Sequence, residues 1–343
     1  MEPEFVRMHE IKLGEVRLLG GTMEFVGIDI AKKTFDLAWR SNGKVKNKSL
    51  KNTPADHQAL LQWLSKNKLT AENCHLAMEA TSQYYEALAT VLSDAGYKVS
   101  VVNPLQIKAF GESLMRRQKT DRADAELIAR FCEVAKPLPW KAPAPEVREL
   151  QRLVARLEAV QGMHVQEQNR AYESHGEAGE SVGRVKKTLA DEIDLLKKKI
   201  RDHIDGNPDL KEQDELIQSI PGAGDIVSSY ALAWLRAERF DDVREAVAFV
   251  GLSPRHHQSG TSVNGKSKIS KLGHGRLRKV LYMPAMNAIR YNAAAQQISE
   301  RLVAAGKNKK LAIVAVMRKM VHWIVGVLKS GKAFDMNLAL AKP

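Results

Sequence analysis

From Phe25 to Leu50 the chain reads FVGIDIAKKTFDLAWRSNGKVKNKSL, and this stretch decides the fold. Phe25 to Ile30 is an apolar run with a polar close at Asp29, the pattern of a mostly buried strand. Thr34 to Arg40 and the weakly alternating Lys44 to Leu50 follow as two further strands, with Asn42-Gly43 supplying the turn between them.

Toward the C-terminus the spacing predicts a helix over Pro54 to Lys66, capped by Thr53. A strand over His75 to Ala80, a helix over Gln83 to Asp94, a strand over Lys98 to Asn103 and a helix over Asp121 to Val134 complete the order βββαβαβα. Between Pro104 and Thr120 a short helix and a basic loop are expected, because Arg116, Arg117 and Lys119 interrupt the apolar period. Residues 1–22 show no sustained period and read as an N-terminal arm. The whole matches an α/β ribonuclease-H plan over 23–135, in which the first and fourth strands are neighbours. That topology brings Asp29 and Glu79, each near a strand end, within reach of one another. Asp121 and Asp124 are three apart at a helix start and share a face. Four hard carboxylates so placed suit two Mg²⁺ ions, which activate a nucleophile and stabilise a leaving oxygen in phosphoryl transfer. Structural readings compete: helix capping for Asp121 and Asp124, and a buried ion pair for Asp29 and Glu79.

Four prolines between Lys136 and Pro145 mark a linker, 136–146, since each fixes φ and removes a donor. Over 147–215, Leu150, Leu153, Leu157 and Val160, then Val182, Val185, Leu189, Ile193, Leu196 and Ile200, recur at three and four residues. This narrow seam fits either a plain helical hairpin or a coiled coil joining protomers. The glycine- and glutamate-rich run Glu173 to Gly183 reads as its turn. The final region, 216–343, reads as mainly α-helical, with helices over Ile226 to Ala237, Val243 to Val250, Gly275 to Arg290 and Lys309 to Lys329. Gly251 to Gly273 has no helical period and reads as an ordered functional loop.

Charge is unevenly spread along the 343 residues. Residues 1–218 carry 33 basic and 33 acidic side chains, whereas 219–343 carry 20 and 7, so the net +13 sits in the C-terminal region. From Ala246 to Lys332 there are 16 basic residues against Glu300 alone, more than solubility requires, which points to a phosphate-binding face. Ile220-Pro221-Gly222-Ala223-Gly224 resembles the turn of a helix-hairpin-helix motif, in which Gly222 and Gly224 let backbone N–H groups approach a phosphate. Ser259 before Gly260 is a candidate nucleophile, with Arg255, Lys266, Lys268, Lys271, Arg276 and Arg278 available to clamp the phosphate. Capping of a local turn is the plainer role for Ser259. Ser253, Thr261 and Ser262 are nearby rivals, and His256 and His257 lack cysteine or acidic partners for zinc. Cys74 and Cys132 are too few for a disulfide framework and suggest a reducing compartment. Arg318, Lys319 and His322 break the apolar stretch Leu311 to Leu328, so no membrane span and no secretory signal are expected, and the reading is cytoplasmic.

These motifs together resemble insertion-sequence transposases of the DEDD type, related to the Piv and MooV DNA invertases. The similarity is carried by Gly27-Ile28-Asp29-Ile30-Ala31-Lys32, Met78-Glu79-Ala80-Thr81, Val101-Val102-Asn103-Pro104 and Lys119 to Ala125. It continues in Ile220 to Gly224, Gly251-Leu252-Ser253-Pro254-Arg255, Ser259-Gly260 and Gly265 to Gly273. The resemblance implies a RuvC-like domain, a helical coiled coil and a mainly α-helical transposase domain with a catalytic serine. By residue it implies a metal site at Asp29, Glu79, Asp121 and Asp124 and a transient DNA link at Ser259. It also implies a bridge RNA that pairs with donor and target double-stranded DNA, and dimers that join into tetramers. The competing functions are a Holliday-junction endonuclease or simple metal nuclease, and a non-catalytic nucleic-acid-binding module.

Overall fold

The computed structural model describes residues 23–41, 44–80, 84–115, 120–236, 240–259 and 263–341, with only the backbone at 256–259 and 263–267. The arm at 1–22, the Asn42-Gly43 turn, and Arg116, Arg117 and Lys119 lie outside the described residues. The chain divides into two compact units, 1–142 and 143–343.

The first unit is built on strands β1 (Glu24–Ile30), β2 (Thr34–Ser41), β3 (Lys44–Lys51), β4 (Cys74–Glu79) and β5 (Lys98–Val102). Their order is β3-β2-β1-β4-β5, the first three antiparallel and β4 and β5 parallel to β1, which is the ribonuclease-H arrangement. Helices α1 (Pro54–Lys66) and α2 (Glu86–Asp94) accompany one core, and α3 (Pro104–Ser113) and α4 (Asp121–Ala135) another. Strand parity sorts the side chains between them. Val26, Ile28 and Ile30 enter the first core with Leu60, Leu64 and Leu88, while Phe25 packs in the second with Ala77, Ile128 and Phe131. Burying these faces is the main force holding the sheet between its helices, at roughly 2 kcal/mol for each large apolar side chain. Cys74 and Cys132 are both fully buried free thiols, and burial pushes each up to about 12.

The proline-rich segment is fastened to the sheet edge rather than loose. Trp140 N–H donates to the Val99 carbonyl at 2.7 Å, and Ser100 Oγ lies 2.8 Å from the Leu138 carbonyl and 3.0 Å from that of Pro137.

The second unit begins with α5 (Pro145–Arg170) and α6 (Gly176–Asp205), an antiparallel hairpin. The expected turn over Glu173 to Gly183 is corrected: α6 starts at Gly176, so most of that run is helical. Two glycines inside the helix cost about 1 kcal/mol each, and good helix formers such as Glu177, Ala178 and Glu180 carry the helix through them. The seam is buried at its base, where Leu150, Val154, Leu157, Leu196 and Ile200 join the core of the following helices, and open farther out, where Met163, Val165 and Val185 are exposed.

The core continues through α7 (Pro208–Gln218), α8 (Asp225–Trp234), α9 (Val243–Val250), α10 (Gly275–Tyr291), α11 (Ala293–Ala304) and α12 (Lys309–Ser330), closed by α13 (Met336–Ala341). The sequence reading passed over α7 and α11. The reading of Gly251 to Gly273 as a loop is also corrected, because β6 (Pro254–Ser259) and β7 (Val263–Ile269) pair as an antiparallel hairpin. By length and composition α12 is apolar enough to cross a membrane, contrary to the expectation, yet it packs Val316, Met320, Val321 and Ile324 into the core.

Candidate active site

The four expected carboxylates lie toward one end of the five-stranded sheet. Ile28 and Met78 are register partners in the parallel β1–β4 pair, so Asp29 and Glu79 occupy the next rung at the carboxyl ends of neighbouring strands. Helix α4 brings the other two. Thr120 caps it by accepting from the Ala123 N–H, leaving Asp121 and Asp124 in the first turn, where the helix dipole favours negative charge.

The approach of α4 to the sheet depends on Gly27. A Cβ at this position would lie 2.1 Å from the Ala125 carbonyl oxygen and 2.2 Å from the Ala129 nitrogen, so the helix backbone rests directly on β1. The notch fixes the height of Asp121 and Asp124 above Asp29. Farther along the same face, Arg40 on β2 donates to Glu126 at 3.1 Å and pairs by charge with Glu133 at 3.4 Å, holding α4 in register.

The charges of these residues act on Asp29. The Asp29 carboxyl is raised to about 6, first by burial and then by the charges of Asp124, Asp121, Glu79 and Asp36. Asp36 was missed in the sequence. It faces Asp29 across the antiparallel β1–β2 ladder and accepts a hydrogen bond from Ser49 Oγ. Among the described residues no three His, Cys, Asp or Glu side chains are grouped as ready metal ligands. The donor set nonetheless suits a hard divalent cation, since the partly buried carboxylates repel one another and supply only oxygen.

In the second unit, Ser259 is the last described residue of β6 before the hairpin tip and pairs by backbone with Val263. Gly260, Thr261 and Ser262 lie outside the described residues, as do the side chains of Ser259, His256, His257 and Lys266. Arg255, Lys268 and Lys271 are exposed around the hairpin base. Two other basic candidates are engaged within the protein: Arg276 Nε meets Glu158 at 2.9 Å, and Arg278 donates to the Val250 carbonyl at 2.8 Å. The two glycines between α7 and α8 differ as well. Gly222 has φ of 101° and packs where a Cβ would meet that of Ala288 at 3.1 Å, whereas Gly224 opens α8 with free space around it.

Comparison with known proteins fits this arrangement. A transposase family model matches residues 26–173, and a model described as transposase IS116/IS110/IS902 family matches 214–300. Pilin gene-inverting proteins of Moraxella bovis and Moraxella lacunata are each 31% identical over 317 residues, 92% of this chain and 98% of the relative. The chain belongs to the IS110 transposase family. As an IS110-family transposase it is a DNA recombinase, and the carboxylate site lies within the first matched segment and the β6–β7 hairpin within the second. T. thermophilus RuvC in complex with Holliday junction substrate resembles 34% of the chain and 99% of that structure at a TM-score of 0.26 and 16% identity, a likeness that carries no weight in the assignment.

Proposed function

We propose that this transposase cuts, exchanges and rejoins DNA strands by metal-dependent chemistry at Asp29, Glu79, Asp121 and Asp124, with Ser259 as the nucleophile. The convergence of four carboxylates around a raised Asp29 is the observation that carries the reading. These four side chains would hold Mg²⁺, and bound metal supplies Lewis-acid stabilisation of charge on a phosphodiester. Ser259 Oγ gives up its proton and bonds to phosphorus as the phosphorus–oxygen bond to the leaving strand breaks, and that strand's oxygen takes up a proton. One phosphate ester replaces another, so the reverse attack by a new strand end needs no external energy.

The exposed bases Arg255, Lys268 and Lys271, together with Arg301, Lys307, Lys309 and Lys310 farther along, support binding of DNA and of a structured bridge RNA. Exposed Met163, Val165 and Val185 on the α5–α6 arm support a homodimer that joins into a tetramer. Like the pilin gene-inverting relatives, the chain would rearrange DNA inside the cell.

A suicide DNA substrate tests the chemistry. Wild type in Mg²⁺ should give a DNA-linked peptide containing Ser259, and excess chelator or Ser259→Ala should abolish it. Cleavage without any protein–DNA adduct would instead favour a Holliday-junction endonuclease or metal nuclease, and an adduct at another residue would overturn the assignment of Ser259. Sequencing of RNA that copurifies with the protein, followed by exchange of its DNA-pairing loops, tests guidance; recombination sites that fail to follow the loops would refute it.

A further inference from the structure

Asn52 follows β3 and lies beyond the sheet end where Asp29 and Glu79 emerge, and its side chain joins three segments. Its Nδ2 donates to the Ala31 carbonyl at 3.1 Å and to the Tyr84 carbonyl at 3.1 Å. Ala31 follows Asp29 by two residues in the turn leaving β1, and Tyr84 lies in the segment that leaves β4 after Glu79. The third contact is His57 of α1, whose Nε2 is 2.8 Å from Asn52 Oδ1.

The pattern admits one assignment of hydrogens. Two carbonyl oxygens can only accept, so both must face the amide NH₂, which leaves Oδ1 as the acceptor for a proton on His57 Nε2. Both N–H groups and the oxygen of the carboxamide are thereby directed. His57 is itself fixed, buried with only 3% of its surface exposed and packed against the Phe35 ring at 6.0 Å between centroids. Burial also lowers its pKa, which keeps the ring in the neutral form with a single N–H. The Asn52 backbone adds a bond from its N–H to the Lys33 carbonyl at 2.8 Å, tying the end of β3 to the β1–β2 turn.

A purely local role would need one of these contacts, not a bridge between the exits of two neighbouring strands. We propose that Asn52 is a positioning residue for the carboxylate site: oriented by His57, it locks the chain leaving β1 to the chain leaving β4 and so fixes the spacing of Asp29 and Glu79 for a divalent cation. The proposal rests on the metal-site reading of those two carboxylates. Partners one layer behind metal ligands set affinity by holding the ligands in place, and their loss weakens binding about 10- to 100-fold.

The test uses the full chain and Mn²⁺ as the probe, read as the concentration giving half of the metal-induced rise in unfolding midpoint, alongside DNA cleavage. Asn52→Asp keeps the shape but turns both donors into an acceptor facing two carbonyls, and should raise that concentration at least about tenfold. His57→Phe keeps the ring without the N–H and should shift it in the same direction, while His57→Gln, which retains a donor, should restore part of the loss. Asp29→Asn serves as the control for the site itself. Folded Asn52→Asp protein that takes up Mn²⁺ like wild type, when Asp29→Asn does not, would overturn the clamp and leave the metal site standing. Unchanged Mn²⁺ response in Asp29→Asn would overturn the metal reading and the clamp together. Should Asn52→Asp fail to fold, His57→Phe decides, and wild-type affinity in that variant refutes the proposal.

Discussion

Asp36 stands directly opposite Asp29 in the β1–β2 ladder, and its charge adds to burial and to three other carboxylates in raising the Asp29 carboxyl to about 6. Like charges facing one another across a ladder destabilise a sheet by up to about 1 kcal/mol. Asp36→Asn should therefore stabilise the metal-free protein by up to about that amount near neutral pH, since asparagine can still accept from Ser49. The gain should vanish in acid, where the Asp29 carboxyl, raised to about 6, is protonated and the repulsion is absent. Urea unfolding in chelator at pH 7.5 and pH 3.5 checks it; a variant that is no more stable at the higher pH would show that the pair does not interact.

Gly27→Ala places a methyl group inside the van der Waals radius of α4 backbone atoms. Neither a main-chain oxygen nor a nitrogen can rotate aside, so the helix must lift. Overpacking of this kind costs about 3 kcal/mol or more. Denaturant unfolding should show that loss, and any folded variant should bind Mg²⁺ more weakly because Asp121 and Asp124 move with the helix. Wild-type stability in Gly27→Ala would mean that the contact is looser than described.

His75 supplies a pH dependence of opposite sign to Asp29. Burial, and then the charge of Lys98, pushes its pKa down to about 4, and its Nε2 lies 2.8 Å from Ser100 Oγ. The serine proton is directed at carbonyls of Pro137 and Leu138, so His75 Nε2 donates, and its lowered pKa keeps the ring neutral near neutral pH. A depressed histidine contributes stability that is complete above its unfolded pKa near 6.5 and is lost as pH falls toward about 4. The amount is on the order of 3 kcal/mol. His75→Gln should remove most of this slope between pH 6.5 and pH 4; an unchanged slope would assign acid sensitivity elsewhere.

The basic residues near the hairpin should divide into two groups. Lys268→Ala and Lys271→Ala should leave stability within about 0.5 kcal/mol and each reduce the salt slope of duplex DNA binding by about one. Arg278→Ala should destabilise by about 1–3 kcal/mol, because it leaves the Val250 carbonyl without its donor. Thermal unfolding and binding titrations at several salt concentrations separate the two; equal stability losses in all three would dissolve the distinction.

The first unit was largely legible because its strands obey parity: one charge at Asp29 in an apolar run and a second at the end of β4 imply a shared face once strands β1 and β4 are neighbours. Asp36 was not legible, because its role comes from antiparallel register, which a one-residue slip would reverse. Asn52 was hidden for a related reason, since its three partners come from separate segments. The β6–β7 hairpin escaped because Arg255 to Ser259 and Val263 to Lys268 are almost wholly polar, so no apolar alternation marks a strand. Helix α11 begins immediately after α10, with Asn292 ending one and capping the other, a junction that leaves no loop to notice.

The two buried thiols turn the first unit into its own timekeeper. Cys132 lies on α4 and Cys74 on β4, and the remainder of the chain holds no other cysteine. Fully buried and with their ionisation pushed up to about 12, neither should react with an alkylating reagent in the closed state. The labelling rate at Cys132 therefore counts excursions in which α4 leaves the sheet, and that at Cys74 counts openings of the core beneath β4. Nucleic acid or metal that grips the carboxylate end should slow the first clock more than the second, giving a map of local opening without any introduced label.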